Sequence, residues 1–149
     1  MAQLNIPASS RVYVDTAMVI YSVEKFPEYF PMLQPMWLQM HNGEIEIFSS
    51  ELTLMEAIVV PIRNSDTLLV NAYEQLLLST EMQLIPISQS LLREAASLRA
   101  STANLRTPDA IHVATSFVAN CTLFLTNDKR LRNVPNLPIT ILSEVLESE

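Results

Sequence analysis

The sequence predicts an α/β domain of three layers, with a central, mostly parallel five-stranded sheet between two layers of helices. Two observations carry that expectation. Short apolar, strand-like runs alternate with helix-patterned stretches of roughly ten or more residues, the spacing that parallel β-α-β connections require. Four of the acidic residues end such runs or sit in the helix that follows, where open α/β folds build their sites. At 149 residues and 49% hydrophobic, the chain suffices for one domain with a real core.

The elements follow in order. Residues 1–10, with Pro7 and Ser9-Ser10, read as a flexible leader, and the folded domain is expected over 11–143. Arg11-Val12-Tyr13-Val14 is a short buried strand. Helical apolar spacing covers 17–25 and ends at Phe26-Pro27, and a second helix over 31–42 closes on Asn42-Gly43. Glu44-Ile45-Glu46-Ile47-Phe48 alternates as a strand does. Ser49 or Ser50 is placed to cap a helix over 51–60, with Pro61 as its stop. Asp66 opens a helix to about Ser79, and residues 81–87 give the third strand. Ser88 caps a helix through Leu98. Thr107-Pro108 then starts another, with the cap at Thr107, running to about Ala119. The last two strands are Thr122-Leu123-Phe124-Leu125 and Ile139-Thr140-Ile141-Leu142, before an acidic tail over 144–149.

Composition narrows the function classes. One cysteine, Cys121, excludes an internal disulfide framework and a cysteine-built zinc site. No apolar stretch approaches the roughly 20 residues that span a bilayer, and nothing at the start reads as a signal peptide, so a cytoplasmic protein without a membrane role is expected. The net charge of −7 runs against nucleic-acid binding, but cations held by the acidic residues would offset part of it. The basic residues are unevenly placed: Lys129, Arg130 and Arg132 follow Asp128, while Arg93, Arg99 and Arg106 precede Asp109.

Each of the four acids has an ordinary structural role open to it. Asp15 can cap the helix after its strand. Asp109 suits the dipole of a first helical turn. Asp128, in Thr126-Asn127-Asp128, suits a turn. Glu56 is different, because Leu52, Val59 and Val60 surround it at helical spacing, and a carboxylate there needs a partner or a metal. Four carboxylates brought to one sheet end cannot all stay ionised unless a cation joins them. All-oxygen ligands point to Mg²⁺ or Mn²⁺, hence to metal-dependent cleavage of a phosphodiester. His112, on the same helical face as Asp109, is open to a role as a partner behind the acids or as a general base, but its neighbours Ile111, Val113, Ala114 and Thr115 make it read chiefly as a packed, internally hydrogen-bonded histidine.

The segments Val12-Tyr13-Val14-Asp15-Thr16, Ser50-Glu51-Leu52-Thr53-Leu54-Met55-Glu56, Leu105 to Thr115 around Thr107-Pro108-Asp109-Ala110-Ile111-His112, and Phe124-Leu125-Thr126-Asn127-Asp128-Lys129-Arg130-Leu131 together resemble the PIN domain family. More narrowly they are similar to the toxin ribonucleases of VapBC toxin–antitoxin pairs, in the family's order and over nearly the whole chain. The resemblance implies that Asp15, Glu56, Asp109 and Asp128 are the catalytic and metal-binding acids, holding Mg²⁺ or Mn²⁺, with Thr16 and Thr126 supporting them. It implies an RNA substrate, for which Arg106, Lys129 and Arg130 are phosphate-contact candidates. It also implies a small antitoxin and a homodimer. For the dimer, Met18, Val19, Tyr21, Phe30, Met32, Met36 and Trp37 offer more apolar surface than one sheet face readily covers. One departure is Ala17, where the family often carries Asn or Ser.

Other Mg²⁺ classes fit less well. A haloacid-dehalogenase-like phosphatase wants a second aspartate two residues after Asp15, where Ala17 stands, and a receiver domain wants an aspartate after Ile47-Phe48, where Ser49-Ser50 stand. The remaining alternative is a catalytically weak PIN-like module that binds RNA or protein.

Overall fold

Five strands form the sheet of the computed structural model, which describes residues 2–148: β1 Arg11–Val14, β2 Glu46–Ser50, β3 Gln83–Ile85, β4 Leu123–Thr126 and β5 Ile139–Ile141. Their order is β3-β2-β1-β4-β5 and every neighbouring pair is parallel, so the sheet is wholly rather than mostly parallel. β1 lies at the centre, with Tyr13 in register with Phe48 on one side and Phe124 on the other. The chain turns outward in opposite directions from the β1–β4 pair, and such a switch point opens a crevice at the carboxyl ends of the strands.

Seven α-helices among the described residues cover the sheet: α1 Thr16–Val23, α2 Phe30–His41, α3 Leu52–Arg63, α4 Thr67–Leu78, α5 Gln89–Ser101, α6 Thr107–Val118 and α7 Leu142–Glu147. Strand alternation sends Val12 and Val14 to one face, where they bury with Met18, Leu33, Met36, Tyr73 and Leu77. It sends Tyr13, with Phe48 and Phe124, to the other, against Leu91, Ala95, Ala110 and Val113 of α5 and α6. None of the helices is long and apolar enough to cross a membrane.

Several boundaries differ from the sequence expectation, each for a local reason. The strand expected over 44–48 lies two residues later. Ser49 and Ser50 are fully buried in it, Ser49 Oγ donating to the Val14 carbonyl at 2.7 Å, while Ser50 Oγ accepts the Leu52 amide from inside the strand. Pro61 does not stop α3. Near the C-terminus a proline forfeits only its own amide bond, and the final turn survives, with the Asn64 amide donating to Val60. β3 is shorter than expected, because Pro86 has no amide to extend the edge. Thr107 is the first residue of α6 rather than its cap. Arg106 holds the capping position, and the Thr107 hydroxyl instead accepts from Arg99.

The two chain ends are more structured than a leader and a tail. Ala2 and Ile6 bury in the core. Residues 142–147 form α7, with Leu142 buried, Val145 and Leu146 packed on the core, and Glu144 paired with Arg132. Met1 and Glu149, the outer ends of those two expected segments, lie outside the described residues. The apolar residues offered for a dimer are also largely core: Met18, Val19, Met32, Met36 and Trp37 are buried, and Trp37 Nε1 donates to Ser22 Oγ at 2.8 Å. The exposed large apolar side chains lie instead mainly on α3 and α4, with Met55 at 61% and Leu68 at 83% exposure.

Candidate active site

The four acids stand beyond the carboxyl ends of the strands or on helices that begin there. Asp15 follows β1 and caps α1, accepting from the Met18 amide. Its other oxygen accepts from the Thr126 hydroxyl at the end of β4, at 2.5 Å, so the β1–β4 switch point is closed by a hydrogen bond across 111 residues. Thr126 Oγ1 also accepts the Asp128 amide at 3.0 Å, tying the turn after β4 to the same point. Burial pushes the Asp15 carboxyl above its ordinary pKa, against the hydrogen bond from Thr126, and the neighbouring Asp128 adds to the rise.

Glu56 comes from the second turn of α3 and is half-buried. Its Oε1 accepts from the Thr16 hydroxyl at 2.6 Å and faces His112 Nε2 at 2.8 Å. Partial burial works against the ionised form, but the hydrogen bonds from His112 and Thr16 outweigh it and hold Glu56 below the usual carboxylate range. His112, on α6, is 6% exposed, and its Nδ1 lies 2.6 Å from the hydroxyl of fully buried Tyr13. The expected internal hydrogen bonding of His112 is thus found, and it leads to a site acid. Tyr13 was not anticipated as part of the site. The signal available for it was strand periodicity, since Tyr13 lies two residues before Asp15 in extended backbone, the spacing that sends side chains the same way.

The outer two acids are held by arginines. Arg106 Nε donates to Asp109 Oδ2 at 3.2 Å. Arg130 clamps Asp128 with two bonds, Nε to Oδ1 at 2.9 Å and Nη2 to Oδ2 at 2.7 Å, and that hydrogen bonding keeps Asp128 below its ordinary pKa. Arg106 also lies close enough to favour ionised Glu56 and Asp128. Two of the phosphate-contact candidates are therefore engaged with the site acids, while Lys129 is exposed.

Among the described residues no three of these side chains converge tightly enough to form a ready chelate. What the structure brings together is a neighbourhood. Asp15 and Asp128 meet through Thr126, and Asp15 and Glu56 meet through the adjoining Thr16. The donor chemistry fits a hard divalent cation. Every carboxylate offers oxygen only, and among the described residues Asp15 has no basic side chain bonded to it.

The sequence profile of the PIN domain family matches residues 12–137. Three solved structures share the fold. VapBC2 from Rickettsia felis, bound to a DNA fragment from its promoter, superposes with a TM-score of 0.66 at 18% identity, over 87% of this chain and 98% of that one. A toxin–antitoxin complex from Klebsiella pneumoniae gives 0.62 at 22% identity, over 87% and 95%. VapC20 of Mycobacterium tuberculosis, a toxin that cleaves the sarcin–ricin loop, gives 0.61 at 16% identity, over 76% and 86%. No curated protein sequence matches the chain.

Proposed function

The chain belongs to the PIN domain family, and from that premise we propose that it is a metal-dependent endoribonuclease, acting in the cytoplasm as the toxin of a toxin–antitoxin pair. The observation that carries this reading is the position of the acids. Carboxylates after β1 and β4 and on α3 and α6 stand around the switch point of an all-parallel sheet, with Asp15 directly at the β1–β4 junction.

Asp15, Glu56, Asp109 and Asp128 would hold Mg²⁺ or Mn²⁺. When bound, such an ion polarises the scissile phosphate and makes its water more acidic. The chain's own residues supply the rest. Thr126 steers Asp15, while Thr16 and His112 steer Glu56. Arg106 and Arg130 pair with Asp109 and Asp128, and with a cation bound to those acids both guanidinium groups would be free for flanking phosphates, alongside Lys129. Contacts of that kind position RNA without reading its sequence.

Two protein partners belong to the same reading. A cavity of about 440 Å³ opens beside Glu56, walled by Ile20, Phe26, Val60 and Leu69, with Glu24 and Asp66 at its edge. An antitoxin helix with an apolar face and one basic side chain suits that mixture, and two of the similar structures are complexes of toxin with antitoxin. A second copy of the chain would cover the outer face of α3, where Leu54, Met55, Ile58, Val59 and Ile62 border an open apolar groove.

Purified protein is expected to cut RNA with Mg²⁺ or Mn²⁺ and to stop on addition of EDTA; robust cutting in EDTA would overturn the mechanism. The second reading, an RNA- or protein-binding module that cleaves weakly, draws on the arginine pairing of Asp109 and Asp128. Binding of RNA with no metal-stimulated cleavage would favour it.

A further inference from the structure

Glu56 is held asymmetrically. Both of its donors, the Thr16 hydroxyl and His112 Nε2, converge on Oε1, at 2.6 and 2.8 Å. Among the described residues no donor reaches Oε2. The side chain keeps 28% of its surface exposed, and Oε2 is its unbonded oxygen. Behind this arrangement lies a second bond. The Tyr13 hydroxyl sits 2.6 Å from His112 Nδ1, and Tyr13 is itself fixed on the central strand, its ring stacked on Phe124 with centroids 4.9 Å apart.

The direction of the hydrogens follows from the partners. A carboxylate oxygen only accepts, so Nε2 must carry the proton that faces Glu56. A neutral imidazole protonated at Nε2 has a bare Nδ1, and a tyrosine hydroxyl is the donor that bare nitrogen needs. Were Nδ1 to carry the single proton, the lone pair of Nε2 would face the lone pairs of Oε1. In the neutral ring Tyr13 therefore fixes the tautomer of His112, and in either case it holds the orientation of the ring. We infer that His112, held by the Tyr13 hydroxyl, is a positioning residue that together with Thr16 pins Glu56 Oε1 and turns Oε2 toward the cation or its water. The inference rests on the metal-dependent reading given above for Glu56, and it adds a supporting chain that runs from the core of the sheet to one ligand atom.

The test separates positioning from folding. His112→Leu, His112→Gln and Tyr13→Phe are made alone and in the Glu56→Gln background, and circular dichroism checks that each is folded. Mn²⁺ binding is measured by titration calorimetry and RNA cleavage on the same preparations. His112→Leu is expected to weaken Mn²⁺ binding or lower kcat by about 10- to 100-fold, the usual cost of losing a partner behind a metal ligand, with the KM for RNA unchanged. His112→Gln, which keeps an N–H for Glu56, recovers part of that loss. Tyr13→Phe, which keeps the ring on Phe124, loses less than His112→Leu. In the Glu56→Gln background the differences in Mn²⁺ binding are expected to vanish, because the oxygen these residues aim is then an amide nitrogen, which binds no cation. Wild-type Mn²⁺ affinity and kcat in folded Tyr13→Phe and His112→Leu would overturn the inference, as would losses that persist undiminished with Glu56→Gln. Should His112→Leu fail to fold, Tyr13→Phe decides alone. If the wild-type protein cuts no RNA yet the variants still weaken Mn²⁺ binding, the ribonuclease reading fails and the positioning role stands.

Discussion

At the scale of single residues, Asp15 carries two opposed demands. Burial raises its pKa, so keeping it ionised at neutral pH costs stability in metal-free protein. The sign follows from linkage: a carboxyl whose folded pKa exceeds its unfolded value of about 3.9 stabilises fully below that pH and loses the contribution as pH rises through the folded pKa. Asp15→Asn is therefore expected to lower cleavage by more than about 100-fold, beyond the range of losses behind a ligand. In EDTA it should also raise the thermal midpoint at pH 7, and the gap to wild type should close as pH falls toward 4. Calorimetry across pH checks it; an unchanged or lowered midpoint at pH 7 would contradict the burial argument. Cys121 gives a second pH prediction. Burial pushes its thiol up to about 12, against about 8.5 when unfolded. That stabilisation is whole below pH 8.5 and is lost as pH rises through 12. Native protein should resist iodoacetamide at pH 8.5 and react once unfolded in urea, which mass spectrometry reads directly. The four acids could be singled out in the sequence because each follows a strand or sits early in a helix, with its own local signature. The Tyr13–His112 link was not, since nothing local ties residues 99 positions apart.

At the scale of elements, the helix caps were the most readable features where a side chain makes them. Asp66 and Ser88 accept from Leu69 and Leu91 as their types suggest. Caps made by the backbone alone, as at Arg106, left no sequence mark. Helix ends were harder because the chain has one glycine. Gly43 closes α2 with φ of +75°, its amide donating to Met40 while the Glu44 amide donates to Gln39, the paired bonds of a Schellman motif. Other left-handed positions fall to Lys25, Ser65, Asn104, Asn120 and Asn136, among others, each paying for conformation that glycine would adopt freely. A Cβ at Gly43 meets nothing within 4 Å, so Gly43→Ala carries only the backbone cost. It should destabilise the protein by about 1 kcal/mol, roughly 2–4 °C for a domain of this size, and Gly43→Asn by less. Urea unfolding of both variants checks this; equal losses would mean the motif is not what limits the end of α2.

At the scale of the molecule, the layered parallel architecture was legible because strand and helix periods alternate so regularly. Which apolar helix faces would be covered was not. Burial of α2 is decided by its seat against α1 in the core on that side of the sheet, and its apolar spacing alone does not distinguish that seat from an interface. The exposed side chains of α3 now carry the dimer expectation. Light scattering over a concentration series should give twice the monomer mass, and Val59→Lys with Ile62→Lys should return the monomer with its fold intact. A wild-type monomer at high micromolar concentration would remove the second copy from the account and leave the α3 face unexplained.

The bond between Asp15 and Thr126 also has a meaning in time. A ribosome releases β1 early and β4 more than a hundred residues later, and the central strand has only one neighbour until then. Local helices can form as they emerge, but the closure that sets Asp15 in place waits for nearly the whole chain, since long-range strand pairing is late and slow. On the ribonuclease reading, the nascent polypeptide is harmless while it is being made. Translation products that stop before Leu123 should be inert as well.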